Sequence, residues 1–189
     1  LFTEVGQEIG FARQPRRDAA EDLAPQKLVP IRHHHQGPSL AVGDLNGDGL
    51  DDVCIGGTTH EAPSVLMHST QGSFVARRLD APVQRAALSD GPLLVFDADA
   101  DGANDLLVTK GATLRRPSSS DLQPQLLLNR GDGDFALAPS ASLPALQICV
   151  GALSAADFDR DGDLDVFLGG RVQPGRYPSA PQSALLLNE

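Results

Sequence analysis

The 189-residue chain has no Trp, one Tyr, one Met and two Cys. A formal charge of −10 repels phosphates, so nucleic acid is excluded as a partner. No apolar run approaches the length needed to cross a membrane as a helix. No G-x-S-x-G occurs, and the acids outside the three stretches described next, such as Asp80, Asp90 and Asp121, stand singly in what reads as connecting sequence. A hydrolytic nucleophile and a carboxylate pair for acid–base work are therefore both missing. Cys54 and Cys149 lie inside apolar runs and read as buried free thiols, since a buried Cys acts as a small hydrophobe. The chain begins at Leu1 rather than Met, so any signal peptide lies outside it.

One nine-residue pattern occurs three times. DLNGDGLDD places Asp44, Asn46, Asp48 and Asp52 at its first, third, fifth and ninth places. DADADGAND places Asp97, Asp99, Asp101 and Asp105 there, and DFDRDGDLD places Asp157, Asp159, Asp161 and Asp165. The sixth place is always Gly (Gly49, Gly102, Gly162), as a sharp backbone turn requires. Asp-Gly and Asn-Gly make tight turns without any metal. Turn chemistry does not, however, ask for carboxylates at alternate places, because like charges so close repel. Four side-chain oxygens and the seventh-place carbonyl (Leu50, Ala103, Asp163) suit a hard cation, so three Ca²⁺ sites are expected. The three stretches hold 13 of the 25 acidic residues, and three Ca²⁺ ions would bring the charge from −10 to −4.

An EF-hand would need a Glu at the twelfth place and flanking helices. Here the twelfth places are Ile55, Val108 and Leu168, inside the apolar runs VCIGG, LLVTKG and VFLGG. Such runs, bounded by glycine, predict buried strands, so each acidic loop should join two strands. Further strands are expected at LFTEV, SVLMHS, SFVARRL, PLLVFDA, QLLLN, FALAP, ICVGALSAADF and SALLLNE. The repeats start 53 and then 60 residues apart, with four strand-like runs in a full unit. That is the mark of a β-propeller blade built as a four-stranded antiparallel meander.

The sequence therefore predicts an all-β fold of about three blades. Residues 1–36 read as a closing strand and a long connection, 37–80 and 81–140 as two blades, and 141–189 as a blade stopping after its third strand. Three blades are too few to close a propeller, so further blades or another chain are expected to cover the edges. His33–His35 read as a polar strand start or loop, because successive strand residues face opposite ways and at most two could share one ligand set. Arg115, Arg116, Arg171, Arg176 and Tyr177 read as residues of long connections, mostly solvated, with reach to a carboxylate or sugar.

D-x-[DN]-x-[DN]-G-x-x-D, then a short apolar strand, then LLLN-x-GDG-x-F, resembles the FG-GAP or VCBS repeat. It is similar to the calcium-binding blades of the integrin α-subunit propeller. GPSLAVGDLNGDGLDDVCIGG and DFDRDGDLDVFLGGRVQPGRYP resemble bacterial secreted propellers related to cartilage acidic protein. The resemblance covers roughly residues 37–189 and departs at an Arg- and Ser-rich insertion, residues 112–123. It implies calcium at the twelve side chains named above and a secreted, periplasmic or cell-surface protein. It also implies a non-catalytic role in adhesion or interaction with a protein or glycan. The alternative is a domain that binds or degrades polysaccharide.

Overall fold

The computed structural model describes residues 1–11, 38–58, 61–79, 88–111, 119–174 and 176–189. The His33–His35 run, Asp80, Arg115 and Arg116 lie outside the described residues.

Three antiparallel sheets follow one another along the chain. The first runs in order β1 (Leu40–Gly43), β2 (Asp52–Ile55), β3 (Ser64–His68), β4 (Phe74–Arg78). The second is β5 (Asp90–Phe96), β6 (Asp105–Lys110), β7 (Gln125–Asn129), β8 (Phe135–Leu137). The third has three strands: β9 (Cys149–Ala156), β10 (Asp165–Val172), β11 (Ala184–Leu186). Every neighbouring pair is consecutive in sequence, as in a meander. The opening strands of successive sheets meet, β1 against β5 and β5 against β9, so the sheets stand side by side as blades.

The middle blade shows why its strands are apolar throughout. Side chains alternate across a strand, and β6 is buried on both faces. Leu106 and Val108 join Leu45, Cys54, Val65, Leu93 and Leu127 in the core between the first two blades. Leu107, one residue along, joins Phe96, Ile148, Val150, Val166 and Leu168 in the core between the last two. Burying each such side chain is worth about 1.5–3 kcal/mol, so one strand stabilises two interfaces. At the far side of the first blade Val53, Ile55 and Leu66 pack with Phe11 and Phe74. At the far side of the third, Phe167 and Leu185 stand opposite one another and exposed.

Three expectations need correction. Leu1–Val5 is not a strand; Leu1 and Phe2 are fully exposed. The chain turns at residues 6–10, and Phe11 lies edge-on to Phe74 with ring centroids 5.3 Å apart. The alternation of LFTEV is too short to bury a face, and the aromatic contact fixes the segment instead. Asp90 is not a solitary connecting carboxylate: it opens β5, and its buried side chain meets Lys110 Nζ at 2.5 Å. Arg171 belongs to β10 and donates to the Gly151 carbonyl. Cys54 and Cys149 are free and buried. Desolvation pushes their thiols up to about 12 and about 11 respectively.

Candidate metal centre

Each acidic stretch forms the turn between a blade's first and second strands. The sixth-place glycines have φ of 83°, 90° and 107°. A Cβ there would meet nothing within 4 Å, so glycine is needed for its left-handed backbone and not to avoid a collision.

Side-chain oxygens then bond forward to the loop's own amides in one repeated scheme. The third-place oxygen accepts the fifth-place N–H: Asn46 from Asp48, Asp99 from Asp101, Asp159 from Asp161. The fifth-place carboxylate accepts the seventh-place N–H: Asp48 from Leu50, Asp101 from Ala103, Asp161 from Asp163. First-place acids accept from the turn as well. Gly49 donates to Asp44, Gly102 to Asp97 and Arg160 to Asp157.

The ninth-place acids Asp52, Asp105 and Asp165 are fully buried. In every blade one carboxylate oxygen takes the second-place N–H of its own loop: Leu45 at 3.0 Å, Ala98 at 2.9 Å, Phe158 at 2.8 Å. The other takes a backbone N–H at or just past the end of the third strand: His68 at 2.7 Å, Asn129 at 2.7 Å, Asn188 at 2.9 Å. These acids thus pin the loop to the sheet. Each oxygen has a second lone pair left for a cation. Burial raises the pKa values of Asp52 and Asp105 despite those hydrogen bonds, with the charges of Asp48 and Asp44, or Asp99 and Asp101, adding to the rise.

In the second loop Asp97, Asp99 and Asp105 bring carboxylate oxygens within 4.8 Å of one another, and in the third Asp157, Asp159 and Asp165 do the same. The fifth-place Asp101 and Asp161 are not in these trios. Lost hydration, with the charges of Asp161 and Asp165, raises the pKa of Asp159. In the first loop the third place is Asn46, so the equivalent places carry two carboxylates. Asp44 is lowered there: lost hydration would raise it, but the N–H groups of Gly49, Gly47, Asn46 and Asp48 outweigh that.

A hard cation fits this donor set. Asp97 Oδ1 is buried and has no hydrogen-bond partner, which is costly for a carboxylate unless something positive meets it. All the side chains offered are oxygen donors, as Ca²⁺ prefers.

Sequence reasoning missed a second set of residues. Asn129 Nδ2 donates to the Leu45 carbonyl in the preceding blade's loop at 2.7 Å and to the Asn104 carbonyl at 2.8 Å. Asn188 Nδ2 donates to the Ala98 carbonyl at 2.9 Å. Asn104 Nδ2 reaches the Asp44 carbonyl at 2.8 Å. The available signal was the recurrence of LLLN at residues 126–129 and 185–188, each following a ninth-place Asp by a similar interval.

Residues 97–168 match the family model of the FG-GAP-like repeat, a span that includes the second and third loops. No curated protein matches the chain. Among solved structures it is similar to one described as the basis of specific recognition of non-reducing terminal N-acetylglucosamine by an Agrocybe aegerita lectin. That likeness has 17% identity, a TM-score of 0.47 and 80% coverage of this chain, which spans 38% of the other. The chain carries an FG-GAP-like repeat over residues 97–168, and this match supports an FG-GAP/VCBS-like repeat family for its all-β, blade-like fold.

Proposed function

We propose that the chain is a calcium-binding, calcium-stabilised propeller-type module, secreted, periplasmic or at the cell surface, that acts as a non-catalytic surface for interaction or adhesion. The observation that carries this reading is the convergence of the second- and third-loop carboxylates, with Asp97 Oδ1 buried and unpartnered among them. The side chains that would hold the ions are Asp44, Asn46, Asp48 and Asp52; Asp97, Asp99, Asp101 and Asp105; and Asp157, Asp159, Asp161 and Asp165. The carbonyls of Leu50, Ala103 and Asp163 would complete each set.

The cation's role is structural: it neutralises acids that burial and mutual repulsion oppose. The near-millimolar calcium outside cells suits modest-affinity sites of this type. Two of the acids outside the loops are already engaged, Asp90 with Lys110 and Asp134 with Arg77, which favours a surface that binds over one that reacts.

Calcium titration calorimetry should find three sites. A site held at a thousand times its dissociation constant adds about 4 kcal/mol, less whatever the unfolded chain binds. The melting temperature should therefore fall clearly in EDTA. Identical melting in EDTA and in millimolar calcium would end the structural role. A glycan array run beside a reducing-end assay addresses the interaction surface, and released sugar ends would replace the non-catalytic reading.

A further inference from the structure

The three loops are not independent turns. From the first loop to the third runs an unbroken series of contacts. Leu45 N–H is held by Asp52, and Leu45 C=O accepts from Asn129 Nδ2. Asn129 N–H is held by Asp105, whose other oxygen holds Ala98 N–H. Ala98 C=O accepts from Asn188 Nδ2, and Asn188 N–H is held by Asp165, whose other oxygen holds Phe158 N–H. Every hydrogen-bonded step is 2.7–3.0 Å long and the rest is covalent frame. The second-place residue of the first and of the second loop is thus gripped twice: by its own ninth-place acid and by the next blade's asparagine.

We propose that Asn129 and Asn188 are positioning residues that couple neighbouring loops, so that ordering one loop stabilises the next and cation binding along the blades is cooperative. The coupling of cation sites rests on the calcium reading above; the coupling of loop order does not. Its physical basis is shared ordering. A loop whose second-place carbonyl is already fixed offers the next blade's asparagine a fixed acceptor. That asparagine's N–H then presents a fixed donor to the ninth-place acid of its own loop. The second loop therefore loses less freedom on ordering than it would alone. Asn129 has no slack to absorb a displacement: its Nδ2 makes two hydrogen bonds, and its Oδ1 accepts from Gly131 and Gly133. In the first blade the corresponding residue is His68, whose ring stacks on Phe74 at 4.5 Å, so among the described residues the series starts at Asp52.

Amide hydrogen exchange in EDTA tests the coupling without any metal. In Asn129→Ala, exchange at the Leu45 amide should quicken about 5-fold or more, the lower end of ordinary coupling, although its own acceptor Asp52 is untouched. Asn188→Ala should do the same at Ala98, and it keeps the test alive if the buried Asn129→Ala fails to fold. Faster exchange confined to the substituted residue's own stretch of chain, with the Leu45 and Ala98 amides unchanged, overturns the proposal. A calcium titration of Asp101→Ala, which disables the middle loop, gives the second arm. The remaining sites should weaken about 5-fold, and unchanged affinities would overturn cooperative binding. An unsubstituted chain that takes up no calcium at all refutes the calcium reading and with it cooperative cation binding, while the exchange arm still decides whether the loops are coupled.

Discussion

The first and second acidic loops share a nine-residue pattern and solve its electrostatic problem differently. In the first, the third place is Asn46, which donates to Asp48 at 3.0 Å. Both oxygens of Asp44 accept backbone N–H groups, Oδ1 from Asn46 and Gly47 and Oδ2 from Gly49. In the second, Asp99 replaces the amide, three carboxylates converge, and Asp97 Oδ1 has no partner. The first loop satisfies itself; the second keeps an unmet demand for positive charge. One motif therefore makes the same turn in both loops, and a single residue at the third place shifts how far its acids are left in need of a cation.

The largest effect should come from the place where the two loops agree. Asp105→Ala removes two hydrogen bonds to an ionised acceptor and leaves the N–H groups of Ala98 and Asn129 without their partner. Such losses are worth about 1.5–3 kcal/mol each, so a loss of about 3 kcal/mol or more is expected, in calcium and in EDTA alike. Asp101→Ala provides the contrast: in EDTA it loses only the exposed hydrogen bond from the Ala103 N–H, so most of its effect should appear in calcium. Urea denaturation of both variants in both conditions separates pinning from ion-holding. If Asp105→Ala costs stability only when calcium is present, the pin is not a pin.

A middle-sized effect should separate the loops. In saturating calcium, Asp101→Ala and Asp161→Ala should each lose about 1–3 kcal/mol of the calcium-dependent stability, and Asp48→Ala clearly less. The argument is charge count, since affinity in oxygen-ligand loops follows the number of carboxylates. Equal losses at the three positions, read from melting curves with and without EDTA, would show that the third-place amide makes no difference.

Much of this was legible in the sequence, for a physical reason. Loops and strands are set by local rules, such as glycine at a left-handed position, oxygen at alternate places and apolar runs between turns, and these appear within a dozen residues. Each of the three acidic stretches accordingly falls between a blade's first and second strands. What was not legible depends on register across blades. Asn129 and Leu45 are 84 positions apart, and Asn188 and Ala98 are 90 apart. No local pattern states which carbonyl an LLLN asparagine will meet. The double use of Asp52, Asp105 and Asp165 was hidden for a related reason. A carboxylate at a ligand place reads as a ligand, and its partners on the third strand become visible only once the hairpins pack. Leu1–Val5 shows the opposite error, a weak local alternation with no packed face behind it.

The smallest effect concerns the fourth place, where the loops differ in backbone strain. All three hold a left-handed residue there: Gly47 at φ 73°, Ala100 at 58° and Arg160 at 71°. For a residue with a Cβ that conformation costs about 1–2 kcal/mol. Exchanging Ala100 for glycine relieves this cost but frees the unfolded chain by about 0.4–1 kcal/mol. Ala100 is exposed, so no packing is lost. The balance favours Ala100→Gly by about 0.5 kcal/mol, visible as a higher urea midpoint with an unchanged slope. Arg160→Gly is the poorer probe, because it also removes a positive charge from among the third-loop acids. The reverse exchange, Gly47→Ala, should lose about 1 kcal/mol: a Cβ there would meet only the Gly131 carbonyl, at 3.8 Å, so the backbone angle alone opposes it. Opposite signs for the two exchanges would mark the fourth place as a point where the second loop stores strain that the first avoids. Two null results would mean that the loops relax freely in solution, and the difference between them would then lie in their carboxylates alone.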